Sequence, residues 1–385
     1  MKYDFDELIT RRGSGSVKWD EMPADDVLPL WVADMDFRAA PCIMDALRRR
    51  VEHGVFGYTF VDDRYYDAVM RWFGRRYGWE IRREWIQYAP GVVPAVSAVL
   101  KALARPGEKV AVLTPVYNCF FSSIRNNGLQ ALQVPLLDDA QRIDFEALAD
   151  ALSDEACTVL LFCNPHNPGG RVWREDELMR VAQLCHENHV RLLSDEIHCE
   201  LVFPGARFTP FASLPTPLKA EIVTFNSPSK NFNTAGLQIA NIICEDADIR
   251  RRIDRAINDN EVCDVNPLGV EALIAAYNEG EDWLAELLVY VRGNYELLCS
   301  FASQHLPAWR VLPLEGTYLA WIDVRRTGMD GEAYADRLLR QARVALNAGN
   351  IYGEAGRDYV RLNLACPRAR LEEALWRVAQ VEARV

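Results

Sequence analysis

With 385 residues, half of them hydrophobic, the chain can bury a large core and is expected to form two domains. Its formal net charge of −12 argues against nucleic acid or an anionic membrane as the main partner. No apolar stretch approaches the length of a membrane span. The start Met1-Lys2-Tyr3-Asp4-Phe5-Asp6-Glu7 is acidic where a secretory leader would be basic and then apolar, so a cytoplasmic protein is expected.

The first forty residues show little periodicity and are expected to wrap over a site or a partner. Pro41 opens a helix in which Ile43, Leu47 and Val51 share one face. A second amphipathic run covers Tyr65–Tyr77, with Val69, Trp72 and Phe73 inward, and Gly91-Val92-Val93-Pro94 opens a third. Strands are then expected at Lys109–Leu113, Thr158–Phe162, Val190–Ser194, Glu221–Phe225 and Gln238–Ile243, with a helix at Arg174–Asn188. Short apolar strands alternating with helices indicate an α/β fold with a mainly parallel sheet covered on both faces. Beyond about residue 285 a long helix (Trp283–Leu306) precedes strands near Trp309–Leu312, Thr317–Asp323 and Tyr359–Leu364, with helices at Gly331–Ala342 and Leu371–Ala383. The expected division is an N-terminal segment 1–40, a large domain 41–284 and a smaller α+β domain 285–385.

Ten cysteines are scattered singly without a C-x-x-C pair, and Cys157, Cys163 and Cys244 lie in apolar sequence, which suits buried free thiols. Gly13-Ser14-Gly15 lacks the context of a dinucleotide fingerprint, no lysine precedes Ser or Thr as in a phosphate loop, and no G-x-S-x-G elbow occurs. His186-Glu187-Asn188-His189 is one residue short of the zinc spacing and reads as a polar helix end.

Three polar signals follow predicted strands: Asn164-Pro165-His166-Asn167-Pro168-Gly169-Gly170, Ser194-Asp195-Glu196-Ile197-His198, and Ser227-Pro228-Ser229-Lys230. Only six of the 43 basic residues are lysines, which makes Lys230 conspicuous. Open α/β sheets bind ligands beyond the carboxyl ends of their strands, so Asn167, Asp195 and Lys230 are expected at one edge. Each has a bland reading alone: a turn for Asn167, a solvated strand end for Asp195-Glu196, a structural role for Lys230; for Arg361 it is a surface salt bridge. Together they suit a carbonyl cofactor, of which pyridoxal 5'-phosphate is the usual one for a lysine amine. Asp195 would face its ring nitrogen, Asn167 or His198 its ring hydroxyl, and Tyr117 a ring face. Gly91, Val92 and Val93 at a helix start offer amides to the phosphate, and Ser227 and Ser229 offer hydroxyls. Arg361 could clamp a substrate carboxylate.

With Asn167-Pro168-Gly169-Gly170, Asp195 and His198, Ser227-x-x-Lys230 and the late Arg361, the chain resembles the fold type I pyridoxal-phosphate family, the aspartate aminotransferase fold. Arg11-Arg12-Gly13-Ser14-Gly15-Ser16-Val17-Lys18-Trp19-Asp20, Leu30-Trp31-Val32-Ala33-Asp34-Met35-Asp36-Phe37 and Gly54-Val55-Phe56-Gly57-Tyr58-Thr59 are similar to its C–S lyase branch, of MalY/PatB type. The resemblance implies a cystathionine β-lyase-like homodimer acting on an amino-acid substrate, with Tyr58 reaching the neighbouring subunit's cofactor phosphate and backbone near Ala33 assisting Arg361. Two departures stand out: Gly169-Gly170 replaces the usual Thr-Gly, and Gln238 stands where classical aspartate aminotransferases have a phosphate-binding arginine. The first is expected to alter only turn packing; the second favours the lyase branch. The rival readings are an aminotransferase and a cofactor-binding regulator acting through a protein partner.

Overall fold

The computed structural model describes residues 2–383, so Met1 and residues 384–385 of the expected outer segments lie outside the described residues. Thirteen strands are found among these residues: β1 (Leu28–Pro29), β2 (Ile86–Ala89), β3 (Lys109–Thr114), β4 (Gln130–Pro135), β5 (Cys157–Cys163), β6 (Arg191–Asp195), β7 (Val223–Asn226), β8 (Ala240–Ile243), β9 (Arg310–Val311), β10 (Leu319–Asp323), β11 (Val344–Ala345), β12 (Asn347–Ala348) and β13 (Tyr359–Asn363). Seven of them build the central sheet in the order β2-β8-β7-β6-β5-β3-β4. Its body is parallel (β4-β3-β5-β6-β7), and β8 joins antiparallel to both β7 and β2. This is the expected α/β architecture. A separate four-stranded antiparallel sheet, β12-β13-β10-β9, carries the C-terminal part.

The central strands read as apolar runs because both their faces are covered. Along β5, Leu160 and Phe162 join one core while Val159, Leu161 and Cys163 join the other. The alternation of side chains along a strand makes this division unavoidable. The helix Val92–Leu103 seals the second face with Val92, Val96 and Val99, together with Ile249 and Ile253 of the helix Ala247–Asp259. The helix Glu175–Glu187 covers the opposite face through Leu178, Val181 and Cys185.

The helix Pro41–His53 forms, but its expected apolar stripe runs out of the core. Ile43 is fully buried, whereas Val51 is 55% exposed. Glu196 also differs from its solvated reading. It is buried, and its carboxyl group accepts from the Ser194 hydroxyl at 2.8 Å and the Phe211 amide at 2.9 Å. No helix among the described residues is long and apolar enough to cross a membrane. All ten cysteines are free thiols.

Candidate active site

A cavity of about 270 Å³ opens beyond the carboxyl ends of β5, β6 and β7. Lys230, Asp195, Asn167, His198, Tyr117, Ser229, Gly91, Val92, Val93 and Ala33 line it. Ser227, Arg361 and Tyr58 do not. Asn167, Asp195 and Lys230 meet there because the parallel strands all end on one side, and the N-terminal segment is brought to the same place, where Lys230 Nζ donates to the Ala33 carbonyl at 2.7 Å.

Lys230 sits in the short helix Pro228–Asn231, started by Ser227. The Ser227 hydroxyl accepts from the Ser229 amide at 3.1 Å and bonds the Ile239 carbonyl at 2.6 Å. It is therefore a helix cap, which leaves Ser229 as the serine of this turn that faces the cavity. Burial, then the nearby Arg361 guanidinium, push the Lys230 amine below its ordinary range. Both act against the ammonium form, so this amine gives up its proton more readily than an exposed lysine does.

Asp195 closes β6 with 2% of its surface exposed, and its Oδ1 accepts from the Ile197 amide at 3.1 Å. No ion pair reaches it among the described residues. Desolvation raises its carboxyl group to about 7, against smaller opposing effects of that amide and of Lys230. His198 is buried, with Nδ1 lacking a partner, and burial, Lys230 and Arg361 all depress its pKa, so its ring is neutral. Gly91 precedes the helix Val92–Leu103 at φ 152°, a conformation that favours glycine, and delivers the chain into the first helical turn at the cavity wall. That helix start presents amide donors and the positive end of the helix dipole.

Arg361 lies behind Asn167. Its Nη1 donates to Asn167 Oδ1 at 3.0 Å and its Nη2 to the Trp31 carbonyl at 2.9 Å, while the buried Nε has no partner. Tyr58 is 95% exposed and does not line the cavity of its own chain. At Gly169, a Cβ would meet the Ala140 carbonyl oxygen at 2.9 Å and His166 Nδ1 at 2.8 Å. The space that a threonine would need is thus already filled. Gln238, at φ 54°, is exposed on the cavity wall.

These residues fit pyridoxal phosphate. A buried carboxyl group without an ion-pair partner invites a protonated ring nitrogen, an imidazole nitrogen without a partner belongs to a second lining residue, and a helix start faces the same space. A model of the aminotransferase class I and II family matches residues 25–378. The chain belongs to that family. It is 40% identical to cystathionine β-lyase PatB of Bacillus subtilis, over 97% of this chain and 98% of PatB. Protein MalY of Escherichia coli is 34% identical, over 97% of each chain. Among solved structures, cystalysin of Treponema denticola, which contains pyridoxal 5'-phosphate, superposes with a TM-score of 0.96 at 35% identity, covering 100% of both chains. The fold is accordingly that of the fold type I pyridoxal-phosphate enzymes.

Within this aminotransferase-family chain, sequence reasoning passed over several groups that build the site. Cys163 and Ile197 line the cavity. The Tyr318 hydroxyl donates to the Ala33 carbonyl at 2.9 Å, and Asn363 Nδ2 donates to the Val32 and Asp34 carbonyls at 2.6 Å each. Asn363 was discoverable, since it lies two residues after Arg361 on the same face of a strand. The buried Glu200 accepts from Trp72 Nε1 at 2.7 Å and from Nδ2 of Asn231, the residue after Lys230. Nothing in the local sequence separates such a buried acid from a surface one.

Proposed function

We propose that the chain is a pyridoxal 5'-phosphate-dependent C–S β-lyase. It would cleave L-cystathionine or related cysteine S-conjugates to a thiol, pyruvate and ammonia. The observation that carries this reading is that Lys230, its amine lowered by burial, and Asp195, a buried acid without an ion-pair partner, line one cavity. Full-length similarity to PatB supports the lyase over the aminotransferase reading. When bound, the cofactor supplies an aldehyde for Lys230 and a cationic ring able to take up the electron pair left at the substrate Cα.

The remaining work falls to the chain. Lys230 would hold the cofactor and, once freed by the substrate amine, its neutral Nζ would take the Cα proton. Asp195 would keep the ring nitrogen protonated, because the carboxylate is better buried beside a cation than alone. Asn167, with His198, would bind the ring oxygen, Tyr117 would cover a ring face, and Gly91, Val92, Val93 and Ser229 would hold the phosphate. Arg361, with backbone near Ala33, would take the substrate carboxylate. Departure of the thiolate from Cβ needs no amino acceptor, and this separates elimination from transamination.

The site residues are completed, in this reading, by a homodimer in the cytoplasm. Val55, Phe56, Tyr58 and Phe60 are 63%, 56%, 95% and 81% exposed in one segment, an apolar run that suits a second copy. Tyr58 would reach the neighbouring cofactor phosphate. Ten free thiols suit a reducing compartment. Lys230→Ala is the direct test of the catalytic assignment. The variant is expected to lose lyase turnover and to release its cofactor on denaturation after borohydride treatment, while the reduced parent retains it; substantial remaining activity would sink the assignment.

A further inference from the structure

The segment Trp31–Phe37 forms neither helix nor strand, yet its carbonyl groups are engaged one after another by site residues. Trp31 accepts from Arg361 at 2.9 Å, Val32 and Asp34 from Asn363 at 2.6 Å, and Ala33 from Lys230 at 2.7 Å and Tyr318 at 2.9 Å. The segment is thereby tied to the site through its backbone. Something must fix that backbone from its other side.

A buried ionic cluster stands there. Lys18 and Asp36 are 0% and 1% exposed, and Lys18 Nζ lies 3.0 Å from Asp36 Oδ2. Asp36 Oδ1 accepts from Arg11 at 2.8 Å and from the Trp19 indole at 2.8 Å. Arg11 also pairs with Asp34 at 2.7 Å, and Arg370 stands 3.6 Å from Asp36. The Trp31 indole returns a bond to the Lys18 carbonyl at 3.1 Å, closing a loop between the two segments. Such a buried pair contributes little net stability against an apolar pair of equal volume. What it does supply is a directional, low-dielectric contact that admits one placement of the segment.

We propose that Lys18 and Asp36, with Arg11, are positioning residues that hold the Ala33 carbonyl against the Lys230 amine. Their place in turnover rests on the role of Lys230 proposed above. The contact itself does not, and it can be measured on cofactor-free protein without any turnover. The charged and titratable groups facing Lys230 are Arg361, Asp34, Cys119, Asp195 and His198.

The sign of one measurement isolates the effect. In Lys18→Met, loss of a nearby cation acting through its field alone would make the Lys230 proton harder to remove. Loss of the carbonyl acceptor makes it easier. The pH dependence of reductive methylation at Lys230, read on its peptide by mass spectrometry, reports which wins. The expected result is a midpoint about half a unit lower, roughly a threefold larger neutral fraction. Arg11→Gln, at a position only partly buried, should move it in the same direction and covers the case in which Lys18→Met does not fold. A midpoint that is unchanged or raised in the folded variants overturns the proposal and leaves the cluster a purely structural one.

Discussion

At the scale of single residues, burial shifts the protonation of the site's groups against their charged forms. Asp195 is raised to about 7 and its neighbour Glu196 to about 8, each chiefly by desolvation. A carboxyl group whose folded pKa lies above its unfolded one binds more protons in the folded state. Its stabilising contribution is complete below the unfolded pKa and is lost as pH rises through the folded value. Cofactor-free protein should therefore lose thermal stability between about pH 4 and about pH 8 through these two groups. Asp195→Asn removes one of them. The variant is expected to show a shallower fall in Tm over that range than the parent; an equal fall would mean that Asp195 is not the strained acid described here. The same residue explains why this chemistry was legible in the sequence: an acid, an amide and an amine at three strand ends need no contact map to be brought together.

At the scale of elements, legibility followed burial on two faces. β3, β5, β6 and β7 carry nearly unbroken apolar runs and were readable for that reason. β2 and β4 form the sheet edges, and the exposed alternation of Gln130–Pro135 carries no such run. In the helix Ala247–Asp259 the run Arg250-Arg251-Arg252 separates Ile249 from Ile253 and masks the apolar face that these two share. The helix Pro267–Glu279 buries residues nearly all round and has little amphipathic signature. The clamp around Ala33 was hidden for a different reason. Its acceptors are backbone carbonyls, which every residue possesses, so residue type conveys nothing about them. Gly91 is the opposite case, a residue type demanded by its backbone. Gly91→Ala forces a Cβ into φ 152° at the start of the helix Val92–Leu103, at a cost of roughly 1–3 kcal/mol. Both a lower Tm and weaker cofactor retention on dialysis are expected; retention and stability equal to the parent would show that this turn is not constrained.

At the scale of the whole molecule, the N-terminal segment is tied both to the C-terminal strands and to the turn that carries Lys230. β1 pairs with β11, and Trp31 to Asp34 are gripped from β13, while Met35 and Phe37 are held by Asn233 just after Lys230. The exposed segment that follows, Val55 to Phe60, is the surface assigned above to a second copy. Phe60→Glu places a charge in that apolar run, which an interface would have to desolvate. In sedimentation at matched concentration the parent is expected to be dimeric and the variant shifted toward monomer with impaired cofactor binding; an unchanged dimer would remove this surface from the interface.

The central claim is elimination without an amino acceptor. Cofactor-loaded protein incubated anaerobically with L-cystathionine, without any keto acid, should release thiol, pyruvate and ammonia in equal amounts. If no thiol appears and amino transfer begins only when a keto acid is added, the lyase reading is contradicted and an aminotransferase stands in its place.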